Sequence, residues 1–231
     1  MNNLSVIVPF YNEQNTLSKS IERLLKQDIF NKIILSDDNS SDNSPEIAQY
    51  YASKHNHVEY IRSSSNLGKG SAINVAKNYI ETTHVVIHDA DLEYFPEDIV
   101  EMFKTADEHL DAMILGSRFI GKKSRKNIYI RTFLANKIMS FFFSVVHVKW
   151  ITDVATCYKL MPTKFLKEIE IKEKGFSIEI ELLSKYLKHY NNIKEVPISY
   201  EGRTYEDGKK IKPLDGFLYI VNTLKYRLSK S

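Results

Sequence analysis

Short apolar runs rich in β-branched residues alternate with segments of helical apolar spacing through the first half of this chain. No other feature constrains its fold as much. Residues 4–9, 32–36, 58–62, 84–88 and 112–115 read as strands. Between them, 16–27, 45–55, 70–80 and 96–105 read as helices, the first with Leu17, Ile21, Leu24 and Leu25 on one face. Strands alternating with helices in this way predict an α/β domain, a mostly parallel sheet covered on both faces. The second half is more elaborate. Residues 131–148 are apolar and aromatic, 156–161 and 193–200 read as further strands, and 178–188 as a helix. Residues 201–213 form a polar, glycine-containing stretch expected to be a mobile loop, and 216–228 close the chain as a helix.

At 231 residues, with 43% hydrophobic and 26% charged residues, the chain suits one large globular domain. A net charge of +3, with cations interleaved among acids, gives no argument for nucleic acid. The single Cys157 excludes an internal disulfide and any cysteine-rich metal site, which points to a reducing, cytoplasmic compartment. The N-terminus enters Val6 to Pro9 without a basic region and a cleavage site, so no signal peptide is expected. No uncharged apolar run reaches the roughly 18 residues of a spanning helix; the nearest, 138–148, is interrupted by Ser140, Ser144 and His147.

Polar clusters follow the strands, where open parallel sheets bind ligands beyond their carboxyl ends. They are Pro9-Phe10-Tyr11-Asn12-Glu13, Asp37-Asp38-Asn39-Ser40, Asn66-Leu67-Gly68-Lys69-Gly70, Asp89-Ala90-Asp91-Leu92-Glu93 and Gly116-Ser117-Arg118. Helix capping accounts for some of this, at Asn15 or Ser44 for example. It does not account for the acids at Asp89, Asp91 and Glu93. On an extended segment, Asp89 and Asp91 point the same way, and Glu93 continues the register. Three hard oxygen ligands of this kind suit Mg²⁺ or Mn²⁺. Asp37 and Asp38 offer acceptors for a base N–H or a ribose hydroxyl. Gly68 and Gly70 allow close backbone approach but match neither the dinucleotide nor the P-loop fingerprint, which counts against an NAD enzyme and a P-loop ATPase. Arg118, Arg203, Lys209 and Lys210 are available for a diphosphate, with Arg203 and Tyr205 in a stretch that reads as a lid.

In order and spacing these clusters resemble the family 2 glycosyltransferases of the GT-A fold, a Rossmann-like sheet architecture. The likeness is greatest to the polyprenyl-phosphate sugar synthases. It extends over residues 5–216 and includes Asp153-Val-Ala-Thr-Cys-Tyr-Lys159 and Phe176-Ser-Ile-Glu179. The resemblance implies a single catalytic domain with a nucleotide-sugar-binding half at 1–120 and an acceptor half at 121–231. It implies inverting hexose transfer from a UDP- or GDP-sugar, with Pro9, Tyr11, Glu13, Asp38, Gly68, Lys69 and Ala90 at the donor. Asp89 and Asp91 would contact ribose, cation and diphosphate, with Glu93 completing the metal set. Arg118, Arg203 and Lys209 would neutralise the leaving diphosphate.

The acceptor stays open at this level. A polyprenyl phosphate is already anionic and needs no base, whereas a hydroxyl on a glycan requires one. Asp153 is the better candidate for that base; Glu179 reads equally as a solvated helix acid. Residues 128–150 combine Arg131 and Lys137 with three consecutive phenylalanines. They read either as an interfacial helix on an anionic membrane or as core. The expectation is a protein at most peripheral to the inner face of the membrane, working with a membrane-protein partner.

Overall fold

The computed structural model describes residues 3–203 and 213–229, apart from the side chains of 213–215 and 217. β1 (Leu4–Phe10) is buried along all seven residues, as a strand covered on both faces must be. It pairs in parallel with β2 (Phe30–Asp37), which in turn carries β3 (Val58–Arg62). On its other edge β1 pairs in parallel with β4 (His84–Ile87). Strand order therefore reverses between β1 and β4, and their carboxyl ends flank the crevice where such sheets bind ligands.

Beyond these lie β5 (Met113–Ser117), β6 (Arg125–Lys126), β7 (Lys159–Pro162), β8 (Ile193–Pro197) and β9 (Tyr200–Glu201). The main sheet runs β3-β2-β1-β4-β7-β5-β8, while β6 and β9 pair separately. β7 is antiparallel to both neighbours, with Val86 opposite Leu160 and Leu115 opposite Lys159. The run expected as one strand at 193–200 divides after Pro197: β8 extends the main sheet, and β9 crosses to β6.

α1 (Leu17–Leu25), α2 (Ser44–Lys54), α3 (Lys69–Ala76) and α4 (Glu97–Glu108) fall where the spacing predicts them, and α1 buries Leu17, Ile21 and Leu24. The second half adds α5 (Ile130–His147), the short α6 (Thr163–Glu168), α7 (Ile178–His189) and α8 (Pro213–Leu228). α8 packs against both α5 and α7.

α5 is neither an ordinary core helix nor an ordinary surface helix. Its buried positions are Asn136, Ser140, Phe143, Ser144 and His147. Facing outward are Ile130, Leu134, Ile138, Phe141 and Val145, followed by Val148 and Trp150, each more than half exposed. The inward polar groups are partnered. Ser140 Oγ accepts the Val154 amide, Ser144 Oγ accepts the Ile151 amide, and His147 pairs with Ser184. Core packing, one of the two readings of 128–150, thus applies only to the inward face, where Phe143 is the one fully buried apolar side chain of the helix among mostly polar groups.

Candidate active site

The cleft at the β1/β4 switch point has a volume of about 230 Å³. Its walls include Pro9, Tyr11, Glu13, Asp38, Gly68 and Lys69, and its floor Asp89, Ala90 and Asp91, with Arg203 at one side. Phe10, Asn66, Ala72, Gly175 and Phe176 also line it, so the wall draws on both halves of the chain. Arg118 and Asp153 do not line it, and Lys209, Lys210 and Tyr205 lie outside the described residues.

Close backbone packing builds the end of the cleft formed by the loops after β1, β2 and β3. Asn12 and Asn39 take left-handed conformations (φ 53° and 63°), turning the chain sharply after β1 and β2. Asp38 accepts the amides of Leu67 (3.1 Å) and Gly68 (2.6 Å), fixing the loop that opens α3. Gly68 has φ 99°, and a Cβ there would lie 2.4 Å from the Lys174 carbonyl oxygen. Gly70 donates to that same carbonyl at 2.7 Å. Asp37 is spent on structure: it accepts the Ser40 amide and the Tyr60 hydroxyl. Ser44 does not cap α2; its hydroxyl accepts the Glu13 amide, while Asp42 accepts the Ser44 amide.

The acidic motif is not extended. The chain turns after His88 and Leu92 sits at φ 66°, strain of the kind that collects at functional sites. Asp89 Oδ1 meets the Lys69 ammonium at 2.7 Å. Burial works against its ionisation, but that ammonium outweighs it and holds the carboxyl below its usual range. Asp91 Oδ2 meets the Arg203 guanidinium at 3.0 Å. Its carboxyl is pushed up to about 7 by burial and then by Glu93 and Asp89, with Arg203 pulling the other way. Glu93 is occupied otherwise: it accepts the Tyr200 hydroxyl at 2.7 Å and the Arg203 amide at 2.8 Å. The register that would aim all three acids together is therefore broken by the turn, and Glu93 instead anchors β9. Among the described residues no group of three acidic, histidine or cysteine side chains stands ready-made to hold a metal ion.

The donor set still fits a divalent cation in chemistry. Asp89 and Asp91 are hard oxygen donors on one cleft floor, and Glu93 and Asp89, which add to burial in raising Asp91, supply negative charge that a cation relieves. Arg203 stands at the same place with a buried Nε that has no hydrogen-bond partner among the described residues. A planar donor left in that state matches a phosphate oxygen.

The two candidate bases are both engaged. Asp153 is fully buried and binds Arg118 through both oxygens, at 2.7 and 2.8 Å, and also accepts its amide. The Arg118 guanidinium lies 5.0 Å from the centre of the Tyr200 ring. Glu179 is not a solvated helix acid: it is buried, with one oxygen on Lys69 (2.8 Å) and the other on Lys159 (2.5 Å). Lys159, Tyr200 and Phe176 went unassigned as individual site residues. A lysine inside an otherwise apolar strand is the one signal that singles out Lys159.

A mostly parallel α/β sheet with an acid-floored, cation-rimmed crevice at its switch point has the architecture of the GT-A glycosyltransferases. Residues 5–170 match the family model described as Glycosyl transferase family 2, and the chain belongs to that family. It is 29% identical over 98% of its length to a dolichol-phosphate mannosyltransferase of Pyrococcus furiosus, of which it covers 64%. It is 35% identical over 57% of its length to an undecaprenyl-phosphate 4-deoxy-4-formamido-L-arabinose transferase of Proteus mirabilis, covering 40% of that protein. The chain thus spans less than two thirds of these relatives. In fold it is similar to glucosyl-3-phosphoglycerate synthase of Mycobacterium tuberculosis in complex with Mn²⁺, UDP and phosphoglyceric acid. That match has a TM-score of 0.75 at 14% identity and covers all of this chain and 80% of the other.

Proposed function

We propose that this chain transfers a hexose, with inversion, from a UDP- or GDP-sugar to a polyprenyl phosphate at a membrane surface. The observation that carries the acceptor reading is the outward apolar face of α5, from Ile130 to Val148, continued on α8 by Val221, Leu224 and Leu228. Arg131, Lys137, Lys149 and Arg227 are interspersed with it, the composition of a surface that sinks into an anionic interface. Among the described residues no helix is long and apolar enough to cross a membrane. The engagement of Asp153 and Glu179 supports the same reading, because an anionic phosphate attacks without giving up a proton.

In this mechanism Pro9, Tyr11, Glu13 and Asp38 hold the nucleoside, and the Gly68 loop gives its backbone room. A phosphate oxygen of the acceptor forms a bond to the anomeric carbon as the bond to the nucleoside diphosphate breaks. The leaving oxygen takes the electron pair. Arg203, with Lys209, neutralises that charge. A Mg²⁺ or Mn²⁺ ion held by Asp89 and Asp91 would add Lewis-acid neutralisation of the diphosphate when bound. Arg118 and Asp153 act by position, bracing the loop after β5 against Tyr200. The homologues named for polyprenyl phosphates support the acceptor class.

The test is transfer of labelled sugar from a panel of UDP- and GDP-sugars, with Mn²⁺, to undecaprenyl or dolichyl phosphate in detergent. Product is expected with a lipid phosphate, and Asp91→Ala should lower the rate by about 100-fold or more. Transfer to glycan hydroxyls or phosphoglycerate with none to lipid phosphate would favour a soluble transferase instead.

A further inference from the structure

Behind the cleft floor four charged side chains alternate in sign. Asp89 meets Lys69 at 2.7 Å, Lys69 meets Glu179 at 2.8 Å, and Glu179 meets Lys159 at 2.5 Å. Exposure falls along the series: 23% of the Asp89 side chain, 11% of Lys69, 3% of Glu179 and none of Lys159. Lys159 is also tied to the carbonyls of Val154 and Thr156. Only Asp89 and Lys69 face the cleft.

Stability alone is a poor reason for this arrangement. Buried ion pairs rarely outperform apolar packing of the same volume, and Lys159 lies in a strand flanked by the fully buried Tyr158, Leu160 and Met161. The order of signs carries the meaning. If Lys69 paired with Asp89 alone, it would cancel the charge a cation at the cleft floor needs. Lys69 divides its contacts between Asp89 and Glu179, and Lys159 balances Glu179 on the buried side. Asp89 is thereby fixed in place.

We infer that Glu179 and Lys159, which touch neither donor nor acceptor, are positioning residues for the donor site. They act by holding Lys69 between Asp89 and Glu179. This rests on the proposed nucleotide-sugar reading. The antiparallel sense of β7 makes it possible, because it brings the amino-terminal Lys159 of that strand to the carboxyl end of β4 and beside Leu115 of β5.

Calorimetric titration of the full chain with UDP and with GDP, each with and without Mn²⁺, tests it. Wild type should bind one nucleotide more tightly with the cation. Glu179→Gln should lose roughly tenfold or more of that cation-dependent gain, the usual consequence of removing a group that orients a ligand. It should change cation-free binding less. Lys159→Met/Glu179→Gln leaves net charge unchanged and removes both buried ions. Its thermal midpoint should return towards wild type while cation-dependent affinity stays low. It also carries the test if the single variant fails to fold. Glu179→Gln binding Mn²⁺ and nucleotide like wild type, or a double variant that recovers affinity together with stability, overturns the inference. Wild type binding neither nucleotide sinks the donor reading and this inference with it.

Discussion

Gly70 is the residue with least room to change. A Cβ there would lie 1.8 Å from the carbonyl oxygen of Glu173, on the segment that also brings Gly175 and Phe176 to the cleft. The neighbour is backbone and cannot rotate away. Gly70→Ala is expected to cost about 1–3 kcal/mol, a thermal-midpoint drop of several degrees, with weaker nucleotide binding. Differential scanning fluorimetry with and without UDP or GDP checks both effects. The glycine itself was legible as a point of close approach, but what approaches was not: Glu173 stands far along the chain from Gly70. Asp38 makes the same point. Its place in the cleft wall follows from β2 ending beside it, whereas its grip on Leu67 and Gly68 depends on how the next loop folds back.

For the elements, α5 shows where local pattern runs out. Its residues 141–143 are all phenylalanine, and periodicity alone does not say which side is packed. The answer comes from its neighbours. The 151–154 segment and Ser184 of α7 offer polar partners, so Ser140, Ser144 and His147 turn inward beside Phe143, and Ile130, Leu134, Ile138, Phe141 and Val145 are left outside. Phe141→Glu and Val145→Glu should therefore weaken cosedimentation with anionic phosphatidylglycerol vesicles several-fold. Stability should stay within about 0.5 kcal/mol, because both side chains are 60% exposed. Unchanged vesicle binding would remove the membrane from the proposed function. β7 is the other element that sequence left underdetermined. Its strand character was readable, but its direction follows from the return path of the chain after α5.

Over the whole molecule, folding favours the neutral state of particular buried histidines. Burial lowers His147 to about 4, with the nearby Arg227 acting in the same direction, and burial also lowers His84. Unfolded histidine binds its proton near pH 6.5, so between about 4 and 6.5 His147 is more protonated in the unfolded chain than in the folded one. Stability from these groups is complete above pH 6.5 and is lost as pH falls towards 4. Between pH 7 and pH 5 His147 should lower the thermal midpoint while Asp91, held at about 7 when folded, pulls it the other way, and His147→Gln should lose less midpoint over that range than wild type. An equal slope in the variant would show that His147 does not contribute.

Fold class, the switch-point crevice and most of its lining were readable because they depend on local physics: periodicity of two or 3.6 residues, and polar groups at strand ends. The partner of each charge was not. Lys69 reaches Glu179 across 110 residues, Arg203 reaches Asp91 across 112, and Arg118 reaches Asp153 across 35. A carboxylate's role depends on whether a cation, an amide or a ligand completes it, and at these separations only the packed chain determines which one arrives. Asp89 and Asp91 could be singled out from the sequence. That Asp89 leans on a buried series of ions, while Asp91 shares Arg203 with Glu93, was decided by tertiary structure alone.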